Sequence, residues 1–553
     1  MQLRRAGGLV AAVALLLGTG TAAASNALES PDNGVQQTGR GGAWFVRADD
    51  PLAAYFNPAA MAFQASGVHL GAALMFESRC FTRLGPDGGP VSPGGTVPGP
   101  GTVAKPGDKF IAPAAATCGT GGGLFPNPNL AAVFRVSDRL AIGLAIVGPH
   151  TDGNNNWPES LPYTNTFGFS EIKDPSDPTK KIPIIQPAPN RYMLVSSDAL
   201  LLFPTLSVAY APTDTLSFGA GFIWGIATAK FTNFAEALRN ANQKQPENFV
   251  NDLHATLSAK DMFVPGVVLS ALWMPSKNLD LSAWFKAQDS FHTDSADVNI
   301  EASYWTASGG RNLKAGLPQD KANGFTPLPG AGSLKLNMPM EAKLGLRYHQ
   351  ARENTSRPTW ATKHEGRRVR DPLSEELFDL ELNFTWANDS SIDALHLAFQ
   401  PGLAVNLGGG GTAPLPTNAD IPHNFKDVIG VRLGGDFNIL PSRLAVRAGG
   451  FFETKGQDDA YLGLDFNNAQ KYGLGLGSTL RLGPVDVSAS FLHTWFGTLD
   501  NKGVGAVHSL SGDTSGCKAV DAANPCSRSL QAINGGVLKQ SLNEVNLGGT
   551  VRF

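Results

Sequence analysis

The chain has 553 residues, 16% of them charged, a formal net charge of −3 and a mean hydropathy of −0.09. Such a balance sets up no field that would draw nucleic acid. Beyond residue 24 no run approaches the ~18 apolar residues that a membrane-spanning helix needs, which excludes a helical membrane protein, and no linker-like break divides the chain into separate cores.

Residues 1–24, MQLRRAGGLVAAVALLLGTGTAAA, set Arg4 and Arg5 ahead of an apolar core and end on small residues suited to cleavage. They read as a secretory signal; the arginine pair lacks the rest of a twin-arginine export motif. The mature chain then opens on a segment, residues 25–63, that is too apolar to hang in an aqueous compartment and too short to fold alone. Within it, YFNPAAMAF places Pro58 inside an apolar run. Proline there stops a short helix and fixes the next turn. Two readings follow: a plug carrying Trp44, Phe45, Phe56, Met61 and Phe63 into a wide lumen, or a plain extension with a turn at Asn57-Pro58.

From residue 66 onward the dominant signal is alternation. In FDLELNFTW, residues 378–386, the apolar Phe378, Leu380, Leu382, Phe384 and Trp386 alternate with Asp379, Glu381, Asn383 and Thr385, a strand with one oily and one wet face. The same dyad recurs in residues 279–286, 342–348, 429–437, 444–453, 485–491 and 545–553. The second face often carries ionisable groups: Lys286, Lys343, Arg347, Arg432, Asp436 and Arg447. A sandwich tolerates this poorly; a barrel with lipid outside and a polar lumen explains it.

The pattern predicts strands near 66–77, 130–137, 139–148, 196–210, 214–230, 262–274, 278–290, 334–349, 377–388, 425–438, 442–454, 470–482, 485–498 and 541–553. That makes an all-β fold, a 14-stranded antiparallel transmembrane β-barrel, even in number as closure requires. With a periplasmic N-terminus, the short periplasmic turns are VSDR, APTDT, MPSKN, ILPSR and RLGPV, rich in Pro, Asp and Ser. Residues 350–376 break this rule as a long basic link, either a decorated turn or a miscount. The closing VNLGGTVRF ends on Phe553, an aromatic terminus that suits recognition by a barrel-assembly machinery.

Four cysteines occur. In an exported chain they are expected as two local disulfides, Cys80–Cys118 and Cys517–Cys526, stapling outer loops; the rival metal site lacks close CxxC pairs and flanking histidines. His69, His150, His254, His292, His349, His423 and His493 are accompanied by no nucleophile motif, so no enzyme, cofactor or metal is expected.

The segment GRGGAWFVRADDPLAAYFNPAAMA resembles the N-terminal hatch of the FadL-type (OMPP1/FadL/TodX) long-chain fatty acid transporters of Gram-negative outer membranes, whose acids and Asn-Pro-Ala step are matched by Asp49-Asp50 and Asn57-Pro58-Ala59. Residues 201–222, 380–395 and 423–452 resemble the same family. The resemblance implies a barrel, residues 64–553, with residues 25–63 as a hatch in its lumen. It implies passive uptake of a long-chain fatty acid or other hydrophobic small molecule by a monomeric protein in contact with outer-membrane lipid; a polar-solute porin and a surface adhesin are the rivals.

The resemblance further implies a capture loop between outer loops, a site beside the hatch and lateral release at a kink in the third strand. Residues 231–260 fit the capture loop, with Phe249, Val250, Leu253 and Leu257 on one helical face that either meets ligand or packs on a neighbouring loop. Gly148-Pro149 marks either the kink or a simple strand end. Candidate ligand contacts in the hatch are Arg40, Trp44, Phe45, Arg47 and Phe56; Lys343, Arg347, Arg432 and Arg447 are either carboxylate contacts or ordinary paired lumen charges. Asn57, Pro58 and Ala59 are the expected gate.

Overall fold

The structure, a computed structural model, describes residues 33–89, 91, 116–122, 127–148, 154–162, 171–173, 179–183, 185–236, 249, 252–302, 304–305, 325–352, 369–408, 411–415, 417–510 and 528–553. The expected signal sequence, Pro149, Val250, Cys517 and Cys526 lie outside the described residues.

Fourteen antiparallel strands close into a barrel. They are β1 (Gly67–Arg83), β2 (Ala116–Gly122 and Asn127–Arg135), β3 (Leu140–Val147 and Asn154–Asn156), β4 (Ser196–Tyr210), β5 (Leu216–Glu236), β6 (Asp252–Trp273) and β7 (Leu279–Gln288 and Phe291–Glu301). The second half is β8 (Phe325–Leu336 and Glu341–Ala351), β9 (Glu376–Ala387 and Ala394–Phe399), β10 (Ile421–Pro422 and Val428–Leu440), β11 (Leu444–Glu453), β12 (Lys471–Leu482), β13 (Val485–Phe496) and β14 (Gly536–Arg552). Closure is an unbroken ladder from Gly67 opposite Arg552 to Arg83 opposite Gly536.

The dyad sorts the two faces as lipid and lumen require. Leu344 and Leu474 stand 62% and 61% exposed on the outside, while Arg347 and Arg432, at 0% and 1%, point inward. Apolar side chains outside gain from lipid, and charges inside avoid it. Among the described residues no helix is long and apolar enough to cross a membrane.

Every expected strand is present, but several run further outward than expected, because alternation continues past the membrane. β1 reaches Arg83, β5 reaches Glu236, and β6 begins at Asp252. Two corrections follow. Leu253 and Leu257 lie on a strand, not on a helical face; Ala255 shares their inward side, and the ladder pairs Leu253 with Ala235 and Leu257 with Phe231. The Cys80–Cys118 disulfide is formed, but it joins directly opposed residues of β1 and β2 instead of stapling a loop.

The long link keeps its place as a turn. Its described end, residues 369–375, carries α3 (Pro372–Glu375; α1 and α2 are given below) and tucks under the barrel. The Arg370 amide donates to the Phe63 carbonyl at 2.8 Å, and the Asp371 carboxylate meets Arg481 at 2.8 Å and Arg552 at 3.4 Å. β8 and β9 on either side of the link pair directly, Gln350 opposite Phe378, so it joins neighbouring strands of the barrel.

Candidate hydrophobic-ligand site

Residues 33–63 lie inside the barrel and are buried throughout. They form α1 (Val35–Gly39), α2 (Ala53–Phe56) and a 3-10 turn, Pro58–Phe63. Pro58 opens that turn, where no backbone N–H is needed. Small residues on both sides permit the close fit: a Cβ on Gly449 or Gly475 of the wall would collide with the carbonyl of Arg40 or Thr38.

Asn57-Pro58-Ala59 is pinned to the wall on one side. Asn57 Nδ2 donates to the Phe45 carbonyl at 2.7 Å and to Ser282 Oγ of β7 at 2.9 Å. The Ala59 amide donates to Ser270 Oγ of β6, and its carbonyl accepts from Ser217 Oγ of β5, both at 2.8 Å. These bonds tie two turns of the segment to three consecutive strands.

Charge ties the other side. Arg40 reaches Asp379 at 3.0 Å, Asp436 at 2.7 Å and Glu381 at 3.5 Å. Arg47 meets Asp49 at 3.1 Å and both Asp379 and Asp436 at 3.2 Å. Arg347 holds Asp280 and Asp379 at 3.0 and 2.6 Å and also pairs with Glu376. Arg447 meets Asp436 at 3.2 Å, and Arg432 lies 3.8 Å from Glu453. Such charges survive burial because each is matched, and removing one shared partner leaves the network with excess buried charge.

Trp44, Phe45 and Phe56 belong to the same packed cluster as the inner wall. Trp44 and Phe56 meet edge to face at 6.5 Å, and Lys343 sits over the rings of Trp284 and Phe56 at 4.4 and 5.6 Å. Beside them Lys286 pairs with Glu341 and approaches Tyr55 Oη at 3.3 Å.

Outward of this segment lies an apolar cavity. Its walls come from β5 (Phe231, Phe234), β6 (Leu253, Leu257), the outer parts of β7 (Val298, Ile300) and β9 (Leu395, Leu397), and connecting residues such as Val405 and Leu464. Its open centre is about 130 Å³, on the scale of apolar cavities that take up a single aromatic ring. The main polar feature of the wall is His423 with Asp465. His423 Nε2 lies 3.1 Å from Asp465 Oδ2, and its Nδ1 lies 3.0 Å from the Ile421 carbonyl. Burial opposes the imidazolium, but the Asp465 carboxylate and these hydrogen bonds outweigh it and raise the His423 pKa. Burial likewise opposes the Asp465 carboxylate, and His423 outweighs it, holding that pKa low.

Of the sequence-derived ligand residues, Leu253 and Leu257 line the cavity. Phe249 is buried in a neighbouring cluster with Tyr192, Phe234 and Trp305. Arg40, Trp44, Phe45, Arg47 and Phe56 sit in the lumen segment and line none of the cavity. The third strand is interrupted after Val147, and the Gly148 carbonyl accepts from Asn33 Nδ2 at 3.2 Å. His423 and Asp465 carried no local sequence signal, being 42 residues apart.

This architecture defines a class: a transmembrane β-barrel whose lumen is filled by its own N-terminal segment. Three solved structures are similar to it in fold. A FadL homologue of Pseudomonas aeruginosa superposes with a TM-score of 0.61 at 16% identity, over 95% of this chain and 99% of that one. The toluene transporters TodX of P. putida and TbuX of Ralstonia pickettii give 0.53 at 12% and 0.50 at 13%, each with the same coverage. Identities this low speak for the fold alone, and that fold is the 14-stranded barrel expected from the sequence. The chain matches no protein-family model and no curated protein sequence.

Proposed function

We propose that this protein carries long-chain fatty acids or similar hydrophobic compounds across the outer membrane of a Gram-negative bacterium, passively and without catalysis. The observation that carries this reading is the pairing of an apolar cavity in the outer half with a lumen blocked by residues 33–63. A diffusion porin needs an open aqueous lumen, which the buried segment opposes.

In this reading residues 1–24 are removed as a signal, residues 25–63 act as the hatch and residues 64–553 form the barrel. Ligand collects in the cavity against Leu253 and Leu257, with Phe249 at its flank. It then passes to the aromatic face of the hatch at Trp44, Phe45 and Phe56, where Lys343 is the cation nearest an arriving carboxylate. Arg40 and Arg47 serve chiefly to hold the hatch. Movement of the Asn57-Pro58-Ala59 step opens a path toward the interruption at Gly148-Pro149, from which an apolar molecule gains by leaving sideways into lipid. Phe553 addresses the assembly machinery, and the barrel works as a monomer.

The test is uptake of a radiolabelled long-chain fatty acid by cells lacking their own transporter, comparing this chain with an Asn57→Ala, Pro58→Ala variant at equal surface level. Uptake by the first and not by the second is expected. Passage of sugars or ions with no fatty acid uptake would instead establish a porin.

A further inference from the structure

A second weakness in the wall lies away from Gly148. β6 and β7 pair from Gly266 opposite Gln288 down to Trp273 opposite Leu281, and again outward from Ser258 opposite Asp297. Between these ladders, among the described residues, residues 259–265 of β6 and 289–296 of β7 share no rungs. On its other edge β6 bulges: Gly225 and Ala227 of β5 face Val264 and Asp261, so that Met262 and Phe263 together oppose one residue. Both turn outward, at 57% and 48% exposure. Trp224 holds the bulge, donating to the Met262 carbonyl at 2.9 Å and packing its ring 4.6 Å from Phe263.

Two side chains bridge the gap, and at its lower end Gln288 Nε2 of β7 donates to the Val264 carbonyl at 3.3 Å. The Asp261 carboxylate accepts the His292 amide of β7 and the Phe263 amide of its own strand, both at 3.0 Å. At the lower edge the Asp289 amide donates to the Pro265 carbonyl at 2.8 Å. Behind the gap, Val264, Phe291 and Ala296 are buried and belong to the same apolar cluster as the cavity residues Leu257 and Val298. On the β6 side, apolar surface therefore runs from exposed Met262 and Phe263 to buried Val264 across a stretch closed by few backbone hydrogen bonds, while β7 presents His292 and Asp294 outward.

Its height decides what it faces. Eight rungs separate the seam from the turn at residues 274–278, and a tilted strand crosses the hydrocarbon in about 9–11 residues. The seam thus sits at the outer margin of the membrane, beside the outer leaflet, with the cavity directly beyond it.

We propose that the β6–β7 seam is a lateral portal, latched by Asp261, through which acyl chains dissolved in the outer leaflet reach the cavity without crossing water. The proposal rests on the transport reading. An apolar ligand in the outer leaflet has little to gain from returning to water to find a loop opening. A seam with an apolar back, held across its outer part by the Asp261 carboxylate, removes that step.

The test pairs Asp261→Cys with His292→Cys and follows uptake of a radiolabelled long-chain fatty acid in cells lacking their own transporter. Folding is confirmed by heat-modifiable migration, and the cross-link by mass spectrometry. Oxidised, the pair is expected to lose uptake; reduced, it regains at least the wild-type rate, because the latch is gone. Each single-cysteine variant, treated alike, controls for the native cysteines. Asp261→Ala alone is expected to import faster than wild type. Equal uptake by the oxidised and reduced forms of a cross-linked pair overturns the portal, as does an Asp261→Ala rate no higher than wild type should the cross-link not form. If wild type itself imports nothing, it is the transport reading that fails.

Discussion

The lumen segment and the cavity are both buried inside one barrel, yet they are built from opposite materials. Around Arg40 and Arg47 the wall supplies Asp379, Glu381 and Asp436; around the cavity it supplies Leu253, Leu257, Val298 and Leu395. Matched charges fix one position and resist sliding, because every displacement exposes an unpaired ion to low dielectric. An apolar wall is non-directional and accepts ligands of varied shape. The contrast teaches that the abundant lumen cations hold protein to protein, while affinity for a hydrophobic guest comes from surfaces with almost no charge.

The comparison can be broken from the charged side first. Deleting residues 26–63 while retaining the signal should turn a tight barrel into an open pore, read as a large stepwise ion conductance in planar bilayers; a barrel that stays closed would mean that the strands themselves block it. Asp379→Ala comes next, since it removes a partner shared by Arg40, Arg47 and Arg347 and leaves three buried cations on fewer carboxylates. It should cost about 3–5 kcal/mol, measured as the denaturant midpoint of the purified barrel, with flickering conductance as the lumen segment loosens. On the apolar side, Leu257→Asp puts a carboxylate into the cavity and should abolish fatty acid binding, with the denaturant midpoint shifting less than in Asp379→Ala.

The smallest effect concerns His423 and Asp465. The raised His423 pKa means its contribution is full below the unfolded value and is lost as pH rises through the folded one. The lowered Asp465 pKa means its share is present above the unfolded carboxylate value and is lost as pH falls through the folded one. Amide exchange at Phe425 should therefore be slowest between those limits and quicken on both sides, and His423→Gln should flatten the profile.

Much of the barrel was legible because alternation is local: the dyad in residues 378–386 declares a strand without reference to its neighbours. The helical reading failed at Leu253 and Leu257 for an instructive reason. Phe249, Leu253 and Leu257 recur every four residues, which satisfies a helix face and, being even, a strand face equally. The stretch DLHATLSAK in fact alternates throughout, with Leu253, Ala255, Leu257 and Ala259 on one side. The partners of Arg40 were illegible, since Asp379 lies 339 residues away and only barrel closure brings them together. The interruption of β7 at Asp289-Ser290 left no mark in the pattern either, because LDLSAWFK reads as an ordinary strand up to its edge.

The most direct measurement is photolabelling of the purified barrel in detergent with a diazirine-bearing long-chain fatty acid, followed by mapping of the modified residues. Labels concentrated on the peptides holding Leu253–Leu257 and Val298–Ile300, and competed away by unlabelled fatty acid, are the predicted result. Labels confined to lipid-facing residues such as Leu344 and Leu346, with no competition, would contradict the account.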